Sequence, residues 1–432
     1  MITRRDFGRA AAVYTMAQGA PLPATTGDGL RFGFIGIGIR GMFLLEEFQK
    51  LGVQPVIAAD VYEGHLTRAK EVTGGKIQTT RDYRRVIDNK DLDVIVIATP
   101  DHWHKQMALD ALSAGKHVYL EKPMAWSIEQ NIEIVKAVEK SKKLLQTGSG
   151  GGSSALSLKA REIVKSGALG KVNMVRMANH RNTPEGAWVY AVPPDASPQT
   201  IDWDRFIGPS PKKAFDPNVF FRWRCWWEYS GGVATDLFVH MLTQLHSVMD
   251  APAPKSVVSQ GGVYRWKDGR TVPDVLNSVY EYPGEFVADL YVNLGNSSGT
   301  RGMVIMGSEG TLELTMRGMT QYEEPKSSDV QRYATNSWPE KMRKEFYLSK
   351  GFTEEGRPRV APVRAAKPKE ISVERGTSHQ AQFLLAVREG KPILEDHWRG
   401  HAAAGAAHLA NQAYRAGRRM GWDWRSGKTQ EG

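Results

Sequence analysis

Residues 31–48 read "RFGFIGIGIRGMFLLEEF". Leu30, Phe32, Phe34 and Ile35 predict a strand, while Met42, Leu45 and Phe48 recur at helical spacing from about Arg40 to Leu51, where Gly52 stops the helix. Between the two, Gly36, Gly38 and Gly41 spell G-x-G-x-x-G, with Ile39 and Arg40 inside the loop. Gly36 permits a tight turn, Gly38 leaves room for backbone against a pyrophosphate, and Gly41 lets helix and strand pack closely. The helix amino terminus then offers N–H groups and a positive dipole end to phosphates.

The motif alone is weak, and its surroundings strengthen it. A second apolar run, "PVIAAD", ends in Asp60, about twenty residues beyond the loop, where a carboxylate bonds the adenosine ribose hydroxyls and repels a 2′-phosphate. No arginine or lysine directly follows Asp60, which favours NAD over NADP. "DVIVIATP" (93–100), "HVYLEKP" (117–123) and "KLLQTG" (143–148) read as further parallel strands. Helices are expected at 103–114 and 127–142, the second opening at Ser127 with Gln130 as capping-box partner. A doubly wound, dinucleotide-binding domain over 30–150 follows from this alternation.

The chain has 432 residues, enough for two domains with full cores. Its 41% hydrophobic and 24% charged residues are ordinary for a globular protein. The formal charge of +10 invites a nucleic-acid reading, but no finger, RNA-binding sheet signature or basic heptad helix accompanies it. The single cysteine, Cys225, excludes an internal disulfide and any cysteine-cluster metal site, and no metal is expected. No stretch reaches the length of a bilayer-spanning helix. "TRRDFGR" (3–9) followed by "AAAVYTMAQGAPLPA" resembles a twin-arginine signal, a route that exports folded proteins, so residues 1–26 are read as that signal and the protein as periplasmic.

Beyond residue 150 the pattern changes. "VNMVRMANH", "SVVSQGGVYRW", "VLNSVYEYP" and "FVADLYVNL" alternate as antiparallel strands with one exposed face. A helix is expected at 233–249, a polar surface excursion over 318–372, and closing helices over 377–420. Residues 151–432 thus form a second, substrate-binding and oligomerising α/β domain.

Several short stretches occur in the order found in the family of glucose–fructose oxidoreductase and inositol 2-dehydrogenase, which the chain resembles from about residue 30 to 424. They are "GFIGIGIRG", "ATPDHWH", "GKHVYLEKP", "GGVATDLFVH", "MGSEGTLEL" and "WRGHAAAGAAHLANQAYRAGR". The resemblance implies a Rossmann domain followed by an α/β domain with an open-faced, mainly antiparallel sheet. It also implies a bound nicotinamide dinucleotide, a carbohydrate or polyol substrate, and a homo-oligomer.

Residue by residue, Lys122 of E-K-P matches the family's catalytic lysine. It follows a parallel strand's carboxyl end, where an ammonium can stabilise developing alkoxide character. Asp236 and His240, four apart and so on one helix face, supply a carboxylate and a general base that also hold the sugar. By the same resemblance Thr99, Pro100, Asp101, Trp103, His104 and Glu121 line the dinucleotide, His102 is unassigned, and His246 is structural. A glycoside-hydrolysing branch has an aromatic–histidine pair at the same place and a cofactor contact at the position of Arg40. It lacks the lysine matched by Lys122.

One departure stands out. The family usually shows a glutamine and an arginine after "LLQTG", and this chain has "SGGGSS" (149–154), composed like a flexible connector. "FFRWRCWWEY" (220–229) holds Arg222, Trp223, Arg224, Trp226 and Trp227, at least two of which, Arg222, Trp226 and Trp227 foremost, are expected to contact the sugar through ring stacking and guanidinium hydrogen bonds, the alternative being a core or subunit-contact cluster; Arg181 and Asn182 are further candidates. The expected activity is NAD-dependent oxidation of a sugar, sugar derivative or glycoside. A redox-neutral glycosidase or lyase acting through a transient keto-sugar is the alternative, and a non-catalytic sugar- or nucleotide-binding protein the lesser one.

Overall fold

The computed structural model describes residues 29–298, 302–315, 318–324, 331–357 and 367–431. The twin-arginine stretch lies outside the described residues. Strands β1 (Arg31–Ile35), β2 (Gln54–Ala59), β3 (Gln78–Thr80), β4 (Val94–Ile97), β5 (His117–Leu120) and β6 (Leu145–Thr147) form one parallel sheet in the order 3-2-1-4-5-6. That order is the doubly wound arrangement, with its switch point between β1 and β4. Every residue of β4 is buried, as a central strand covered by helices on both faces requires. Ser127 Oγ accepts from Gln130 N at 3.3 Å, but the Gln130 side chain reaches Trp126 N, not the cap residue, so the capping box is half formed.

A second sheet begins with β7 (Val172–His180), β8 (Ser256–Gly262), β9 (Val275–Glu281) and β10 (Val287–Asn293). It continues with β11 (Gly302–Gly307), β12 (Gly310–Thr315), β13 (Gly318–Glu323), β14 (Lys369–Ile371), β15 (Met420–Asp423) and β16 (Lys428–Glu431). Its order is 14-13-12-11-7-10-9-8-15-16, and β7 and β10 are parallel within an otherwise antiparallel ladder. β9 and β10 bury alternate residues, the signature of one covered and one open face. The expected excursion over 318–372 is corrected here. Its ends, β13 and β14, extend the sheet edge, and Glu340–Ser349 is helical. Charged edge strands carry little apolar alternation, which hid them.

The last two long helices tie the halves together. His379–Glu389 sets Phe383 and Leu384 into the apolar cluster of β1 and the helix Ile39–Lys50. His397–Ala416 is alanine-rich and buried along most of its length. Small side chains let it lie close between neighbouring elements, and at Gly405 a Cβ would come within 2.3 Å of the Trp422 ring.

Candidate active site

A cavity opens at the carboxyl ends of β1, β2 and β4. Gly36, Gly38, Ile39, Arg40, Asp60, Thr99, Pro100 and Trp103 of the expected set line it. Gly36 has φ +82°, and a Cβ there would lie 2.8 Å from the backbone of Ala98 and Thr99. At Gly41 a Cβ would lie 1.9 Å from the Gly36 carbonyl oxygen, so only glycine allows this turn to meet its helix. At Gly38 a Cβ would meet only His65, at 3.6 Å, which leaves its cavity side open. The helix beginning at Ile39 has no side-chain cap and no acidic residue in its first turn. Its amino-terminal N–H groups therefore face the cavity without an internal anion, and the loop fits a pyrophosphate.

Asp60 has a second task beside the one expected. Its Oδ2 accepts from Ile37 N at 2.7 Å and its Oδ1 from Tyr62 N at 2.9 Å, with His65 Nδ1 3.2 Å away. Burial opposes its charge, but the His65 imidazole and the two backbone donors outweigh burial and hold its pKa below the ordinary value. A fixed negative charge thus stands where a ribose hydroxyl would bind.

The expected catalytic residues, Lys122, Asp236 and His240, form a polar cluster behind the cavity. Lys122 Nζ donates to Asp236 Oδ1 at 2.6 Å and to the Asp236 carbonyl at 3.0 Å. Arg224 Nε donates to the same Oδ1 at 3.0 Å, and Arg224 also lines the cavity, which joins the two regions. Burial works against the Asp236 charge, and the Lys122 and Arg224 cations reverse that and hold the carboxyl far below its usual range. Asp236 lies in a π-helical turn, Ala234–Phe238, directly before the helix Val239–Met249. Such a turn lets a backbone carbonyl leave the helical ladder, and here that of Asp236 takes the Lys122 ammonium. His240 is pushed down to about 3, chiefly by burial and then by Lys122, so its imidazole is neutral. Its Nδ1 lies 3.3 Å from Ser149 Oγ.

Several side chains sit elsewhere than expected. Asp101 is buried behind the cavity, 3.4 Å from both Gly231 N and Thr235 Oγ1. Burial raises its carboxyl to about 7 against the pull of Lys122 and Arg224. The His104 ring lies between the carbonyls of Pro123 (2.7 Å) and Thr99 (2.9 Å), joining the loop after β4 to E-K-P rather than facing the cavity. Glu121 takes Arg40 Nε at 2.6 Å and so ties E-K-P to the glycine loop. Trp226 and Trp227 pack against the apolar core, with Arg415 over the Trp227 ring, whereas Trp223 and Arg224 reach the cavity. Arg222 donates to the Tyr190 carbonyl at 2.9 Å and Arg181 to Asn179 Oδ1 at 3.3 Å, while Asn182 is exposed.

The "SGGGSS" stretch is no flexible connector. It is a packed turn in which a Cβ at Gly152 would lie 2.2 Å from Glu395 Oε1, and Ser153 Oγ lies 3.0 Å from His379 Nδ1. Ser149, Tyr190, Phe220 and Phe221 escaped the sequence reading. Ser149 replaces a longer polar residue by a short one, and Tyr190, Phe220 and Phe221 carry no local pattern that marks a cavity wall.

Fold and site together define a two-domain, dinucleotide-binding protein whose first domain carries a Rossmann glycine loop and Lys122, and whose second brings Asp236 and His240 to that lysine. The profile described as "Oxidoreductase family, NAD-binding Rossmann fold" matches residues 30–149, and the GFO/IDH/MocA C-terminal domain matches 205–313. The chain belongs to the GFO/IDH/MocA oxidoreductase family. Among curated relatives, the α-N-acetylgalactosaminidase of Shewanella oneidensis is 34% identical over 123 residues, which are 26% of this chain and 27% of the relative's length. The chain thus matches about a quarter of that relative. Among solved structures, the WlbA dehydrogenase of Chromobacterium violaceum, in complex with NADH and UDP-GlcNAcA, superposes with TM-score 0.65 at 18% identity, covering 94% of this chain and 99% of that one. The aldose–aldose oxidoreductase of Caulobacter crescentus, complexed with glycerol, does so with TM-score 0.63 at 17% identity, covering 91% and 99%. Both are similar in fold.

Proposed function

We propose that this chain is an NAD-dependent oxidoreductase acting on a ring hydroxyl of a sugar, sugar derivative or glycoside. The observation that carries the reading is the half-buried Lys122–Asp236–Arg224 cluster with neutral His240 on the helix that follows Asp236, joined to the cavity through Arg224. Bound dinucleotide supplies a hydride acceptor at its nicotinamide ring. Asp236 fixes the Lys122 ammonium, which stabilises negative charge on the substrate oxygen as its proton leaves. His240, held neutral, is able to receive that proton. Ser149 sets the orientation of the His240 ring. Gly36, Gly38 and the N–H groups from Ile39 onward hold the pyrophosphate, and Asp60 the adenosine ribose.

The second reading is a redox-neutral glycosidase or lyase, in which a transient ketone acidifies the neighbouring C–H, the aglycone is eliminated, and the hydride is given back to the same sugar. The α-N-acetylgalactosaminidase relative, matched over 123 residues, favours it. A sugar and glycoside panel, run on the protein as purified and followed by nicotinamide absorbance and product mass together, separates the two. Net reduction of the dinucleotide supports the first. Aglycone release without net reduction supports the second, and neither signal with any sugar removes both.

The proposal extends to location and assembly. The paired Arg4 and Arg5 support export to the periplasm by the twin-arginine route, and the family resemblance supports a homo-oligomer.

A further inference from the structure

Around the proposed reaction centre, cations outnumber the carboxylates that answer them. Lys122 and Arg224 share one carboxylate, that of Asp236. Arg40 is answered by Glu121, but Arg181 and Arg222 bond to neutral acceptors, Asn179 Oδ1 and the Tyr190 carbonyl. Among the described residues neither of these two has a carboxylate partner. The cations converge on one place. Tyr190, Trp223 and Arg224 line the cavity, and the Arg224 guanidinium lies over the Trp223 ring, 4.2 Å from its centre. Arg222 is fixed to the Tyr190 backbone, and the Arg181 charge acts on both the Tyr190 hydroxyl and the His240 ring. Asp101, behind them, has its carboxyl raised to about 7, chiefly by burial, and is only partly ionised near neutrality. Glu185, the other carboxylate near Tyr190, is exposed. Neither balances the excess.

The three arginines share a second feature. Arg181, Arg222 and Arg224 each bond the protein through Nε alone, so their terminal Nη pairs have no protein acceptor among the described residues. A guanidinium held from behind in this way presents a planar fork that matches the two oxygens of a carboxylate. Half-buried cations without an anion keep an uncompensated desolvation cost, which a ligand carboxylate offsets. Lys122 is not available for that task, because its ammonium is committed to Asp236 and to the substrate oxygen. We infer that Arg181, Arg222 and Arg224 form a carboxylate-binding subsite beside Lys122, so that the sugar oxidised here is a sugar acid. Its carboxylate lies on the Tyr190–Trp223 side and its reacting hydroxyl on the Lys122–His240 side. The inference rests on the proposed oxidation of a sugar at Lys122 and His240.

The test is calorimetric binding to the full-length protein with NAD added to saturation. Glucuronate is paired with glucose and galacturonate with galactose, and glucose 6-phosphate is the third arm. At least one uronate should bind roughly tenfold or more tighter than its neutral partner, the scale of one hydrogen bond to a charged group. Arg181→Gln and Arg222→Gln should each lower that preference by about threefold or more, because the carboxylate is shared among three guanidinium groups. Arg181→Lys, which keeps the charge, should retain more of the preference than Arg181→Gln. Equal affinity within both pairs, or no binding of either uronate, would overturn the inference. So would tighter binding of the phosphate than of either uronate, or an unchanged preference in both glutamine variants. Turnover is read separately by nicotinamide absorbance. Uronate binding without hydride transfer would remove the proposed oxidation and leave the subsite, whereas turnover of neutral sugars with no preference for acids would do the reverse.

Discussion

At the scale of single residues, the site divides charge between groups that must keep it and groups that must not. Asp236 stays ionised because two cations share it, and His240 stays neutral because burial, and then the Lys122 ammonium, disfavour a further positive charge. Lys122→Ala or His240→Ala should lower kcat by roughly 100-fold or more, the usual scale for losing positioned proton transfer, while bound dinucleotide is retained. Near-full turnover in either variant with the true substrate would refute the assigned role. Asp60 bears on cofactor choice. Its carboxylate is bonded to the glycine loop and cannot swing away from a 2′-phosphate. NAD should therefore bind at least tenfold tighter than NADP, about 1.4 kcal/mol, and equal affinities by calorimetry on stripped protein would contradict this. Gly36, Gly38 and Asp60 line the cavity where local spacing put them, while Lys122 was singled out through the family resemblance. Arg40–Glu121, Asp101 and His104 were not legible, since their partners lie on other loops and helices and no local pattern separates a cavity wall from the layer behind it.

Among elements, the strands and helices named in the first domain were read nearly to their ends, because continuous apolar runs and helical spacing dominate buried parallel sheets, whereas the short β3 and the helices Glu63–Val72 and Arg84–Ile87 were not read. β7 matched its quoted nine residues. The turn 149–154 was misread for a physical reason. Glycine and serine compose flexible linkers, but they also permit close packing, and only the neighbours decide which. Here one neighbour is Glu395, whose buried carboxyl is pushed up to about 8 by its surroundings, with burial the main cause. In the unfolded chain it titrates near its ordinary value of 4.5. Between those values the folded protein keeps a proton that the unfolded chain releases, so stability falls as pH rises through that window. Glu395→Gln removes this contribution and leaves other groups in place. Its melting temperature should gain on wild type by roughly several degrees between pH 5 and pH 8. Parallel melting curves across that range would show that Glu395 does not titrate as described.

For the whole molecule, the two domains and the amino terminus raise one linked question. A protein exported through the twin-arginine route arrives where no NAD pool replaces a cofactor that leaves. The glycine loop and Arg4–Arg5 are consistent with one another if the chain folds around its dinucleotide in the cytoplasm and carries it outward. Such an enzyme cannot release NADH in each cycle. It must reoxidise the bound cofactor with a second substrate or return the hydride to the molecule that gave it. Protein drawn from the periplasm should therefore hold close to one dinucleotide per chain, and its nicotinamide absorbance should return to its starting level after each turnover. The paired substitution Arg4→Lys/Arg5→Lys should leave the protein in the cytoplasm, folded and with its dinucleotide bound. Export that persists in that variant would remove the signal assignment. Periplasmic protein that is empty and rebinds NAD weakly would break the link between export and cofactor, and the chain would then have to meet its NAD inside the cell.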